Sequence, residues 1–209
     1  ISKTYTPHSC LWHTLDVVVL VVVDAIGLTK QNNPPANVLI DTGALITGMD
    51  NREVAEFLLL HLREDVEGVV YLDRDDKKCI LMREGGRSVG LEQCGTSPES
   101  YFTFYDQVHT TGMDIKHNTQ CCAALTLNTF NTFRDYAQAA YRMRGIGQGQ
   151  TIELLIIPEV SKRMNKDMNR KIREDDKGVL EDVITWLILN QMKSEEVQRR
   201  LLAEQCLMN

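Results

Sequence analysis

The sequence predicts an α/β fold with a mostly parallel sheet flanked by helices and a helical extension at the C-terminal end. Short apolar segments of strand length alternate with segments of helical periodicity through most of the 209 residues. Polar, glycine-containing loops follow several predicted strands, as in sheets that bind ligands at the carboxyl ends of their strands. The content of 43% hydrophobic and 25% charged residues is typical of a globular domain.

The first half of the chain is expected to supply four strands and one helix. The run Val17–Val23 is almost entirely β-branched, which favours a buried strand, and it is too short to cross a bilayer. Asn37–Leu45 is a buried strand that runs into a loop. Asn51–Asp65 is an amphipathic helix with Asp50 or Asn51 as its N-cap. Two short apolar strands flank an Asp-rich turn: Gly68–Asp73 and Lys78–Glu84.

The second half is expected to add three strands and one helix. Tyr101–Gln107 is aromatic and strand-like, and Ala123–Asn128 is a further apolar strand. Phe133–Gly145 is a helix closed by a glycine, and Thr151–Val160 is an apolar strand. Because parallel strands share their carboxyl edge, three loops are expected to open on one side of the sheet. They follow the strands that contain Leu39, Phe102 and Leu125.

Composition divides the chain into three parts. Residues 1–35 form an N-terminal segment and linker that ends in the break Gln31–Pro35. Residues 36–160 contain the alternating strands and helices of the α/β lobe. Residues 161–209 begin with a highly charged stretch, and apolar positions at helical spacing in Glu181–Leu207 predict a helical extension.

Charge and cysteine content limit the classes of partner. The formal net charge of -6 argues against a protein that binds nucleic acid unaided, because phosphate neutralisation normally needs a basic surface. The six cysteines include no C-x-x-C pair, which disfavours zinc, and Cys121 and Cys122 are adjacent, which disfavours a disulfide framework. Reduced thiols and the lack of a signal peptide or membrane-length apolar run indicate an intracellular protein, cytoplasmic or nuclear, without a membrane partner.

Two segments carry a family resemblance. T-T-G-M-D-I at Thr110–Ile115 follows an apolar strand, and Q-A-A-Y-R-M-R-G-I-G-Q at Gln138–Gln148 comes later on a predicted helix and the turn after it. The pair resembles motifs V and VI of superfamily 2 helicases and translocases, and the second segment is especially similar to motif VI of Swi/Snf-type translocases. The resemblance implies that residues 36–160 form a RecA-like lobe, the second of two motor domains.

The resemblance also implies roles for particular residues. In that family the Q-x-x-x-R helix sends arginine fingers to the γ-phosphate of ATP, so Gln138, Arg142 and Arg144 are the catalytic candidates. Gly112 and Asp114 would lie near the nucleotide and the track. ATP and magnesium would be held mainly by an upstream RecA-like lobe, since this sequence has no Walker A motif and is expected to be inactive alone. Whether the track is nucleic acid or polypeptide stays open.

Arginine suits a finger because its planar fork of donors matches a phosphate. As a finger, Arg142 is expected to be solvent-facing near the carboxyl edge of the sheet, in a cleft shared with the Thr110–Ile115 loop. As a structural residue it would be buried against a carboxylate such as Asp106 or Asp114. The chain departs from the family by having Gly145 at the position of the second finger and Asp106 in place of a motif V threonine.

A second resemblance covers most of the chain from Val38 onward. L-I-D-T-G-A-L-I-T-G, D-Q-V-H-T-T-G-M-D-I-K-H and D-Y-A-Q-A-A-Y-R-M-R-G-I-G-Q-G-Q are together similar to part of very large eukaryotic proteins often labelled ubiquitinyl hydrolases. It implies a fragment of a multidomain protein, as does an initial Ile rather than Met, with ubiquitin as a possible partner. The alternative function is a ubiquitin-specific thiol hydrolase with Cys94 as nucleophile and His109 as base. A third alternative is a non-catalytic interaction module.

Three further patterns have simpler structural interpretations. D-T-G at Asp41–Gly43 is the motif of aspartic proteases, but no second copy supplies the paired carboxylate. His109 and His117 with Asp114 could bind a metal, although polar histidines in a loop are more often solvated, and no metal site is predicted. Asp114 could also serve only to cap its turn, because Asp tolerates that geometry.

Overall fold

The computed structural model describes Gly27 and residues 36–208, so the predicted strand Val17–Val23 lies outside the described residues. The strands of the described part are β1 (Ala36–Ile40), β2 (Gly68–Leu72), β3 (Lys78–Met82), β4 (Ser88–Gly90), β5 (Tyr101–Tyr105), β6 (Cys122–Thr126) and β7 (Thr151–Leu155). Its α-helices are α1 (Asn51–His61), α2 (Phe133–Ala140), α3 (Pro158–Met168) and α4 (Asp176–Met208). These elements confirm the predicted α/β class.

The strands of the described part form one sheet in the order β4-β3-β2-β5-β1-β6-β7. β2, β5, β1, β6 and β7 run parallel, and β3 and β4 add an antiparallel edge. Because β5, β1 and β6 are parallel neighbours, the loops that follow them open on one edge, as predicted. The chain leaves β1 towards β2 but leaves β6 towards β7, so the boundary between β1 and β6 is a topological switch point.

Helices cover both faces of the sheet. Successive side chains of β1 point to opposite faces, so Ile40 packs in the cluster beneath α2, α3 and α4, while Leu39 packs beneath α1. Both clusters consist of almost fully buried apolar residues, including Trp186 on the first face and Leu58 on the second. The continuous apolar runs of β1 and β6 follow from this burial on two faces.

Several element boundaries differ from the sequence prediction, including the end of α1 at His61 rather than Asp65, and two of them have a clear local cause. α2 ends at Ala140 rather than Gly145, because the N–H groups of Arg142 and Met143 donate to carbonyls three residues back, at 3.0 Å each. β7 ends at Leu155 rather than Val160, because Pro158 lacks a donor for the sheet and instead begins α3. The N-cap of α1 is Asp50, which forms a capping box with Glu53.

The C-terminal extension is helical, as predicted, but it packs into the lobe. α3 crosses residue 160, the expected limit of the lobe, and Val179, Val183 and Trp186 of α4 are completely buried in the core of the sheet. From Met192 onward the apolar side chains of α4 are more than half exposed. Among the described residues, none of the helices combines the length and apolar character needed to cross a membrane.

Candidate functional site

The central loop of the carboxyl edge is organised by Asp41, the residue after β1. Its carboxylate accepts hydrogen bonds from the N–H groups of Leu45 (3.0 Å) and Ile46 (2.9 Å) and from the Thr126 hydroxyl (2.6 Å). Burial raises the pKa of Asp41, and these hydrogen bonds oppose the rise. Asp41 therefore holds the D-T-G loop in place and fits the structural interpretation of that motif.

The loop that resembles motif V lies beside β1, after β5. A short 3-10 helix, Val108–Thr110, begins it, and Gly112 then takes a left-handed conformation with φ of 81°. Such a φ favours glycine because it has no Cβ. Asp114 is exposed and Ile115 is buried, so the loop presents its polar residue to solvent and is fixed to the core by its apolar one.

His109 ties this loop to the turn between β2 and β3. Its Nδ1 pairs with the Asp106 carboxylate, and its Nε2 lies 2.8 Å from Oδ1 of Asp76. Burial lowers the pKa of His109, but hydrogen bonds to Asp76 and Asp106 outweigh it and leave that pKa above its ordinary value. His109 is therefore held between two carboxylates that favour its protonated form, and it is not a solvated loop residue.

Arg142 is buried, and the expectation that it faces solvent is wrong. It is 8% exposed, its Nη1 donates to the carbonyl of Met113, and its Nε has no hydrogen-bond partner among the described residues. The early end of α2 is the physical reason, because the i+3 turns after Ala140 direct this side chain inward. The alternative expectation, burial against Asp106 or Asp114, also fails, since the acceptor is a backbone carbonyl.

Arg144 is the accessible arginine of the pair. Its Nε lies 3.3 Å from Oδ1 of Asp114, its guanidinium stacks 4.5 Å above the Tyr141 ring, and its side chain is 48% exposed. An exposed ion pair of this kind contributes little to stability, so the arginine can exchange partners at low cost. Gln138 is also exposed, on α2.

The structure brings the two motif-like segments into contact. Arg142 bonds Met113 and Arg144 pairs with Asp114. The contact is made by a buried Arg142, and not across the surface cleft that was expected for it and the Thr110–Ile115 loop. Contrary to expectation, the arginines do not lie at the carboxyl edge of the sheet. α2 begins at that edge, after β6, and runs back along the sheet, so the residues that follow it lie near the amino end of β7. A hydrogen bond of 2.7 Å from Gly145 N–H to the Gln150 amide closes this return just before β7.

The thiol-hydrolase pair is not assembled in this structure. The Cys94 sulfur contacts the Thr96 hydroxyl at 2.8 Å and the Met82 sulfur at 3.4 Å, at the end of β3 that pairs with the start of β2. His109 contacts Asp76, in the turn at the other end of β3. The five residues of β3 span about 13 Å, too far for proton transfer.

The metal interpretation of the two histidines also lacks geometric support. The Nε2 of His117 lies 3.1 Å from the Tyr105 hydroxyl, and burial lowers the pKa of His117 to about 4. His109 uses both ring nitrogens for carboxylates. Among the described residues, no group of three or more His, Cys, Asp or Glu side chains is arranged to hold a metal ion.

The residues implied by ATP chemistry fit that ligand only in part. Arg144 and Gln138 are exposed and polar, as contact with a phosphate requires. Arg142 does not fit as it stands, since its Nη1 is used by Met113 and the side chain is buried. The sequence contains no P-loop, the element that cradles a triphosphate and its magnesium.

Sequence reasoning missed an acidic cleft of about 860 Å³ beside β2. Its carboxylates follow β2 and β5 or precede α1: Asp50, Asp73, Asp75, Asp76 and Asp106. The signal was present in the adjacent carboxyl ends of two strands that each lead into aspartate, but strand order was needed to bring them together.

Comparison with known proteins gives no match, whether to a family model, a curated protein or a solved structure.

Proposed function

We propose that this chain is the second RecA-like lobe of an ATP-driven superfamily 2-type translocase or remodelling protein. The observation that carries the proposal is the contact between the two motif-like segments, in which Arg142 bonds Met113 and Arg144 pairs with Asp114. Between Ile115, the last residue of the first segment, and Gln138, the first residue of the second, lie 22 residues. Local sequence alone therefore does not bring the two segments into contact. A motor lobe requires the contact, because both motifs serve one nucleotide.

Within this proposal, Arg144 is the finger and Arg142 is a positioning residue. Phosphoryl transfer needs a positive donor at the charge that develops on the γ-phosphate, and a half-exposed guanidinium in a weak ion pair can supply it. Arg142 holds the Met113 carbonyl and so fixes the loop beside the finger. ATP and magnesium would be bound mainly by a separate lobe that carries a P-loop.

The test is ATP hydrolysis by a longer protein that contains both lobes. We expect Arg144→Ala to lower kcat on the order of a thousandfold, as loss of a finger does in other phosphoryl-transfer enzymes. Arg134→Ala is the matched control, because Arg134 is an exposed arginine on α2 whose pairing with Glu195 spans 4.0 Å. This chain alone is expected to hydrolyse no ATP. An unchanged kcat in Arg144→Ala, or hydrolysis by this chain alone, would contradict the proposal.

A further inference from the structure

A small cleft lies at the topological switch point of the sheet. It has a volume of about 260 Å³ and is lined by residues from the loops after β1, β5 and β6 and from α2. Thr42, Gln107, Asn128 and Gln138 are among them. Chains that diverge from neighbouring parallel strands leave a crevice at their carboxyl ends, where ligands of open α/β sheets bind.

The walls of this switch-point cleft are fixed by hydrogen bonds between its loops. The Asn128 amide donates to the Gly43 carbonyl at 2.8 Å, and the Asn131 amide donates to the Thr42 carbonyl at 3.1 Å. Gly43 leaves no space for a side chain, since a Cβ there would lie 2.9 Å from the Leu127 carbonyl carbon. The cleft is therefore preorganised, which lowers the entropic cost of binding.

Most of the groups that line this cleft are neutral and polar, and Asp135 adds a carboxylate. Thr42 is 2% exposed, and its hydroxyl has no hydrogen-bond partner among the described residues. Gln107, Thr111 and Gln138 are exposed residues with amide or hydroxyl groups at the same cleft. None of the described residues that line it is basic, whereas recognition of a phosphate requires positive donors. Donors and acceptors of this kind match peptide groups.

Electrostatics next to the cleft favour a cationic ligand. The acidic cleft lies across the 3-10 helix Val108–Thr110, and the two arginines that line it are already paired, Arg52 with Glu56 and Arg74 with Asp50. Side chains of Asp75 and Asp76 are 73% and 67% exposed, and each already has one basic partner, Lys77 at 3.2 Å and His109 at 2.8 Å. The five carboxylates that line the cleft still outnumber the basic side chains that line it. A polyanion would be repelled here and a lysine or arginine side chain attracted. Phe130, 85% exposed at the rim, offers an apolar contact.

We infer that the carboxyl edge of the sheet, with its two clefts, binds an extended polypeptide. Its backbone amides lie in the switch-point cleft, against the Thr42 hydroxyl and the glutamine amides, and a lysine or arginine side chain enters the acidic cleft. The inference rests on the proposed function in one respect: the bound polypeptide is identified as the track along which the proposed motor moves. Binding itself requires no nucleotide.

The experiment measures fluorescence anisotropy of a labelled 12-residue peptide of alternating lysine and serine, titrated with this chain without ATP. The same titration uses a peptide of alternating glutamate and serine and a labelled 20-nucleotide oligothymidylate. We expect saturable binding of the basic peptide alone. Thr42→Val should weaken it about tenfold by removing one hydrogen bond. Thr103→Val is the matched control, because Thr103 is also buried with an unpartnered hydroxyl but does not line the cleft.

Two further variants keep the test decisive if Thr42→Val does not fold. Gln107→Ala and Asp75→Asn change exposed residues of the two clefts, and each should weaken the basic peptide several-fold. The inference is overturned if the basic peptide does not bind, if the oligonucleotide binds as tightly, or if the cleft variants bind like wild type. A failed ATPase test would leave this result unaffected, so the two proposals fail separately.

Discussion

Arg142 and Arg144 are two residues apart, yet they have opposite surroundings. Arg142 is buried against the Met113 carbonyl, and Arg144 is half exposed beside Asp114. The difference arises because α2 ends at Ala140 and the chain continues in tighter turns. Charge and residue type alone do not separate such neighbours, since both arginines have the same donors and the same motif context.

Arg142→Ala is therefore expected to destabilise the fold. Its removal leaves the Met113 carbonyl without its donor and removes buried aliphatic packing, so the free energy of unfolding should fall by about 1–3 kcal/mol. Urea denaturation measures this change. Arg144→Ala is the control and should stay within about 0.5 kcal/mol, as exposed sites do. A negligible effect of Arg142→Ala would contradict its burial and return it to the role of a finger.

The sequence predicted the contact between these segments better than the orientation of their side chains. The alternation of strands and helices, and the single edge on which three loops open, follow from apolar runs and their spacing, which depend on many residues at once. The order of the strands in the sheet does not follow from them. The direction of the Arg142 side chain depends on the last turn of one helix. The sequence placed the end of that helix at Gly145, five residues after its observed end at Ala140. The Cys94–His109 pair failed for a similar reason, because sequence spacing does not give the end of β3 at which each residue lies.

At the scale of elements, His109 joins the connection after β5 to the turn between β2 and β3. Asp76 adopts a left-handed backbone with φ of 59°, a conformation that Asp tolerates better than most residues. Its carboxylate contacts the His109 ring from that turn, and Asp106 contacts the ring from the carboxyl end of β5. The acidic cleft therefore has one wall fixed by an ion pair whose strength depends on pH.

Replacing His109 with Gln should remove a pH-dependent part of the stability. The folded pKa of His109 lies above its ordinary value, so its contribution is fully present below about pH 6.5 and is lost as pH rises through the raised pKa. The stability lost in His109→Gln should therefore be larger at pH 6 than at pH 9, measured by urea denaturation. His61→Gln, at an exposed position of α1, is the control for the change of residue type itself. A loss of stability in His109→Gln that grows with pH would contradict the pairing of His109 with Asp76 and Asp106.

At the scale of the whole molecule, the charged segment after the sheet is an anchor for α4. Asp182 is fully buried and pairs with Arg170 at 2.5 Å and with Arg173 at 2.6 Å. Burial alone would raise its pKa, but hydrogen bonds from Arg170 and Arg173 hold the pKa of Asp182 well below its ordinary value. Trp186, one turn later, fills the core of the sheet. The extension and the lobe therefore share one core and should unfold together.

Asp182→Asn tests this coupling. We expect a loss of about 3 kcal/mol at pH 7, at the lower end for a broken buried ion pair because both arginines are nearly half exposed and regain water. For a chain of this size the melting temperature should fall by roughly 6–12 °C. Because the folded pKa is depressed, the contribution of Asp182 is present above about pH 4 and declines as pH falls further, so the difference between variant and wild type should shrink in acid.

Calorimetry of the described lobe with its extension distinguishes the two possible architectures. A shared core requires one transition that moves as a whole in Asp182→Asn. Glu181→Gln is the control, because Glu181 pairs with Arg173 at the surface, with half of its side chain exposed, and should cost less than about 1 kcal/mol. Two separate transitions, of which only the smaller responds to Asp182→Asn, would mean that α4 folds independently of the sheet. In that case the burial of Val183 and Trp186 would not be coupled to the strands that carry the carboxyl-edge clefts.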